Sequence, residues 1–135
     1  MPDNFNLSAA KFTHYIKENE GWQYMLEHQI REFPGMNDLL STVIKGNCLT
    51  ADEKACGEIH FKNQLKKQQA AMDALNKEIS KQQKRLISQL DNETARANDI
   101  EAFCTEDILR ERIRDIEKNY IELKTDFMKY MSAVI

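Results

Sequence analysis

Between residues 109 and 134 an apolar side chain recurs at alternating steps of four and three: Leu109, Ile113, Ile116, Tyr120, Leu123, Phe127, Tyr130 and Val134. A strand needs a two-residue repeat and a loop needs none, so a repeat of about 3.5 residues leaves an α-helix with one apolar seam as the fit. A seam this long has to be covered. The chain is therefore expected to fold as helices packed on helices.

The preceding segments support that reading. From Phe61 onward Leu65, Met72, Leu75, Ile79 and Leu86 keep three- and four-residue steps, and Gln68, Gln82 and Gln89 occupy the seam positions between them. This is a coiled-coil seam with polar gaps. Thr50 followed by Glu53 matches the capping-box pattern, so a helix is expected from residue 50 to about residue 96, roughly 70 Å long. Upstream, Ser8 can cap a helix whose face carries Phe12, Tyr15, Ile16, Trp22, Leu26, Ile30 and Phe33, with Tyr24 off that stripe; Pro34 is expected to end it. Asn37 can cap a short helix through Leu39, Leu40, Val43 and Ile44, closed at Gly46. Asp91 to Cys104 is poor in seam residues, and Thr105 with Glu106 and Asp107 makes a good N-terminus, so the chain is expected to reverse there.

With 135 residues, 41% of them apolar, and only Pro2, Pro34 and four glycines as breakers, the fit is one folded domain of long helices. The expected fold is all-α: an elongated helical bundle over residues 1–135, with three main helices plus one short helix and a long antiparallel coiled-coil-like hairpin. The expected spans are about 8–33, 37–45, 50–96 and 106–134. Residues 62–96 hold eight Lys/Arg against four Asp/Glu, whereas residues 98–135 hold six against nine. Opposite flanking charge helps two helices select each other, which supports the hairpin.

A second row, Ile121, Met128 and Ile135 with Met131 between them, lies roughly 110–130° round the last helix from its main seam. That helix is expected to have two neighbours, and Ile121, Met128, Met131 and Ile135 are the candidate partner-binding residues. The long helix is also expected to outrun its partners and leave apolar seam uncovered, which favours association in water.

Few residues point to chemistry. His14 with Glu18 and His28 with Glu32 each put an imidazole and a carboxylate one turn apart, half of a metal site. The two histidines are roughly 21 Å apart along one helix, too far to share an ion. Cys56 and His60 are also one turn apart, and Cys48 could join them on zinc if the preceding loop folds back, but three ligands leave a structural site incomplete. No metal and no cofactor is expected. A nucleophile elbow and a Gly-rich phosphate loop are both missing, and the Glu-rich helix surfaces do not read as paired catalytic carboxylates, so the chain is read as no enzyme and no small-molecule substrate is assigned.

The basic run Lys62, Lys66, Lys67, Lys77, Lys81, Lys84 and Arg85 could track phosphates, but the net charge is −3 and no aromatic residue between Phe61 and Phe103 could stack on bases. No nucleic acid is expected, and the run reads as a solvated face pairing with acidic helices. The opening MPDNFNLSAAKF resembles neither a secretory signal nor a membrane span, and Cys48, Cys56 and Cys104 are odd in number, which fits reduced thiols. The expectation is a cytoplasmic interaction or assembly protein with a protein partner or a second copy of itself, as a dimer. A metal-binding or sensor bundle using the His/Glu or Cys/His pairs is the first alternative, and a nucleic-acid-associated protein using residues 62–85 is the second.

Overall fold

The computed structural model describes the backbone of residues 8–46 and 51–134, and the side-chain environments of residues 8–45 and 56–133. Every element in it is helical: α1 (Ala9–Ile30), α2 (Phe33–Gly46), α3 (Ala51–Gln89), α4 (Glu93–Ala97) and α5 (Ile100–Val134). The all-α class read from the seam is the observed one. Among the described residues, no helix is long and apolar enough to cross a membrane.

The helix ends follow local capping chemistry. Ser8 starts α1 as expected: its Oγ accepts from Lys11 N at 3.1 Å and its carbonyl from Phe12 N at 3.1 Å. The end differs from expectation. α1 stops at Ile30, and α2 starts at Phe33 rather than Asn37. Pro34 therefore opens a helix instead of closing one. A proline in the first turn gives up an N–H that has no intrahelical acceptor there, and its fixed φ already suits the helix. The Glu32 carbonyl takes the next available donor, Met36 N, at 3.1 Å.

The reversal falls in the expected stretch after Asp91, but the helices on either side have other bounds than expected. α3 ends at Gln89, α4 intervenes, and α5 starts at Ile100 rather than 106. Two short polar side chains decide this. Asn92 Oδ1 accepts from Ala95 N at 3.0 Å to cap α4, and Asp99 Oδ1 accepts from Ala102 N at 2.9 Å to cap α5. Thr105, the expected start, lies inside α5. The Thr50 side of the expected capping box is outside the described residues.

The chain divides into two compact units, each drawing on α1, α3 and α5. The first comprises the described part of Met1–Glu27 with Ala74–Arg114. Its core gathers Phe12 and Tyr15 of α1, Leu86 of α3 and Ala102 of α5, flanked by Ile16, Leu90 and Phe103. Polar bonds tie α1 to α3 beside it: Gln23 Nε2 donates to Ser80 Oγ at 2.8 Å, and Gln83 Nε2 to Glu20 Oε1 at 3.4 Å.

The second unit is His28–Asp73 with Asp115–Ile135. Aromatic edges hold it together. Phe33 of α2 meets Tyr120 of α5 edge-on at 5.9 Å, and Phe61 of α3 meets Phe127 at 5.5 Å. Gly57 of α3 lets the Tyr130 side chain approach so closely that a Cβ there would overlap its hydroxyl.

The seams read from sequence are the buried faces. On α3, Phe61, Leu65, Met72, Leu75, Ile79 and Leu86 are all buried, so none of these seam residues is the expected uncovered surplus. The polar gaps are used rather than tolerated: Gln68 Nε2 donates to Ile116 O at 3.1 Å, and Gln82 Nε2 to Ala102 O at 3.0 Å. On α5, Leu109, Ile113, Ile116, Tyr120 and Phe127 are buried, while Leu123 and Tyr130 are half-buried.

The expected charge pairing between α3 and α5 is largely replaced. Among the described residues, Lys62 and Lys81 bind Glu58 and Glu78 on their own helix, and Arg85 alone reaches across, to Asp99 just before α5 and to Glu101 within it. The acidic helix α5 instead supplies the bases, through Arg110 to Glu18 on α1 and Lys124 to Glu32.

Candidate functional site

Among the described residues two places depart from ordinary helix packing: a buried carboxyl cluster in the first unit and an exposed apolar row in the second. The cluster centres on Glu106, whose side chain is 0% exposed. Asn19 Nδ2 donates to both of its oxygens, at 2.8 and 2.9 Å, and Gln82 Nε2 donates to Oε1 at 3.1 Å. One polar residue each from α1, α3 and α5 thus meet in a single layer of the core. Next to them Glu18 accepts two hydrogen bonds from Arg110, Nη2 to Oε1 at 2.7 Å and Nε to Oε2 at 2.9 Å. Arg110 Nη1 also holds Asp107 at 2.7 Å.

The two carboxyl groups have opposite electrostatics. Burial, then a hydrogen bond with Glu18 and the charge of Glu18, push Glu106 from 4.5 up to about 7, against the opposing pull of the Asn19 and Gln82 amides. Burial also acts to raise Glu18, but hydrogen bonds from Arg110 and Glu106 and the Arg110 charge outweigh it and hold Glu18 below the ordinary value. A neighbouring pair pushed apart in this way is one proton donor and one acceptor.

From sequence alone Glu106 belongs to the first turn of the last helix, and the Glu-rich helix surfaces do not read as paired carboxylates. That is corrected here, because the helix begins earlier and Glu106 falls on its inner face. The signal was present. Extending the four-three series back from Leu109 passes through Glu106 and Ala102, and Asn19 keeps the spacing of Tyr15 and Leu26 on α1.

The apolar row is on α5. Ile121 is 56% exposed and Met128, one heptad further on, is 49% exposed; with Thr125, Ser132, Lys124 and Lys129 they line a shallow groove. Of the other two candidates, Met131 is a correction: it is 1% exposed and faces the core, where it fills space beside the seam instead of meeting a partner. Ile135 lies outside the described residues.

The metal candidates do not assemble. Glu18 is held by Arg110, and Glu32 accepts from Tyr120 Oη and from Lys124 Nζ, the latter at 2.8 Å. Those two bonds hold Glu32 below the ordinary carboxylate range. Burial and the hydrogen bond to Glu32 push the Tyr120 phenol upward. Cys56 is an exposed free thiol, and His60 lies edge-on to Phe61 at 4.8 Å. Cys48 is outside the described residues. Among the described residues, no three His, Cys, Asp or Glu side chains gather as a metal site would require. Lys66, Lys67, Lys77 and Lys84 are exposed along α3.

No family model matches the chain, and no curated protein and no solved structure is significantly similar to it.

Proposed function

We propose that this chain is a non-enzymatic helical interaction or assembly protein of coiled-coil type, and that it associates with a second copy of itself through the outward row of α5. The observation that carries this is the exposure of Ile121 and Met128 at a heptad spacing on a helix whose other seam is already filled. Covering the exposed half of such side chains contributes about 1 kcal/mol each, and a heptad-spaced row suits a second helix. The exposed free thiols Cys56 and Cys104 support a reducing compartment, and on this reading the protein is cytoplasmic and works without a cofactor.

Sedimentation equilibrium over a wide range of concentration tests the proposal. The wild-type chain should exceed monomer mass as concentration rises, and the double variant Ile121→Glu/Met128→Glu should remain monomeric with unchanged helicity. A wild type that stays monomeric throughout, or a variant that associates equally well, overturns it.

A further inference from the structure

The polar layer of the first unit is short of hydrogen-bond donors. Asn19 Oδ1 and Gln82 Oε1 are buried acceptors with no hydrogen-bond partner among the described residues, although their amide nitrogens serve Glu106 and the backbone carbonyls Tyr15 O and Ala102 O. Two carboxyl groups, Glu106 and Glu18, adjoin them, and the one guanidinium present, Arg110, is committed to Glu18 and Asp107. A proton on Glu106 can be donated to Glu18 and removes an uncompensated buried charge. Without it, the carboxylate keeps the Asn19 and Gln82 amides but faces the Glu18 charge from a buried position.

We infer that Glu106 is a proton-operated latch: with its proton it bonds to Glu18 and the Asn19 and Gln82 amides, closing α1 onto α3 and α5, and loss of that proton loosens α1. The groups that face it are few. From α1 these are Glu18, Asn19 and, further out, Tyr15 and His14; from α3, Gln82; from α5 itself, Arg110 and Asp107. Glu18 stays ionised and paired across neutral pH, since its shift is downward.

The sign follows from linkage. Glu106 holds its proton more tightly folded, near 7, than unfolded, near 4.5, so the proton's contribution to stability is complete below the lower value and is lost as pH rises through the higher. α1 is the element released because Asn19 is its hydrogen-bonded contact with Glu106, beside the buried Phe12, Tyr15 and Leu26 of the same helix.

The test is urea unfolding of the full chain between pH 5.5 and pH 8, with hydrogen exchange read along α1. The wild-type unfolding constant should rise on the order of thirtyfold over that span, with exchange in α1 accelerating before that in α3. Glu106→Gln keeps the shape and a donor for Glu18 without a titrating proton, and should flatten the pH dependence. A flat wild-type profile, or a variant that keeps the wild-type slope, overturns the latch. If the variant does not fold, the carbon-13 carboxyl signal of Glu106 in the wild type decides: titration near neutral pH supports the latch, and titration in the ordinary glutamate range overturns it.

Discussion

At Gly57 the backbone of α3 and the Tyr130 side chain occupy space that a methyl group would need. Tyr130 is also held by Phe61, whose ring centroid is 4.9 Å away, so it has little room to retreat. Gly57→Ala should therefore destabilise the protein by about 1–3 kcal/mol, the usual cost of overpacking, as measured by chemical unfolding. Gly21 is the opposite case. It lies within α1 with nothing within 4 Å of an added Cβ, and Gly21→Ala should add about 0.5–1 kcal/mol by removing backbone freedom from the unfolded chain. The two substitutions are chemically identical, and only a neighbour separates their signs. Asn19 makes the same point for polar groups: as an isolated letter it reads as a poor helix former, and in the folded chain it anchors the Glu106 carboxyl.

The ends of the helices were less legible than their middles. The seams of α3 and α5 follow from periodicity, because burial on one face imposes its repeat over many residues. Their boundaries depend on which of several competent caps is used, and Asn92 and Asp99 outcompete the equally plausible Thr105. Asp99 has a tertiary reason to win, since it also takes Arg85 in a two-pronged ion pair, Nη2 to Oδ1 at 2.7 Å and Nε to Oδ2 at 3.0 Å. Asp99→Ala should cost about 1–2 kcal/mol in urea unfolding, and Asp99→Asn, which can still cap, should cost clearly less. The lysines of α3 carry the reverse expectation. Lys66, Lys77 and Lys84 are exposed, and none pairs with an acid on another described helix. Reversing all three charges should leave the melting temperature within about 3 °C, where pairing with an acidic helix would have lowered it further.

For the whole molecule, the proposed association runs through the outward row of α5. If that row meets a second copy, the contact rests on Ile121 and Met128, and apolar burial is not screened by ions. The mass seen at low salt should therefore persist when ionic strength is raised tenfold, in light scattering at fixed concentration. Dissociation at high salt would instead assign the contact to the Lys124 and Lys129 rim. Sequence identified this row in part. It selected Ile121 and Met128 correctly as outward residues but included Met131, which is only three residues from Met128 yet turns far enough round the helix to join the core.

The sequence by itself determined that this chain is helical, which residues form the main seams, and that glutamine interrupts one of them. These properties repeat, and a repeating pattern of burial leaves its period in the letters. Tertiary structure decided where the main α5 seam begins, that Pro34 starts a helix, and that Asn19, Gln82 and Glu106 meet. Each of those depends on a single side chain finding a partner far away in sequence, such as Asn19 and Glu106, 87 residues apart. The strength of such an encounter depends on the dryness of the site, and that exists only once the helices have packed.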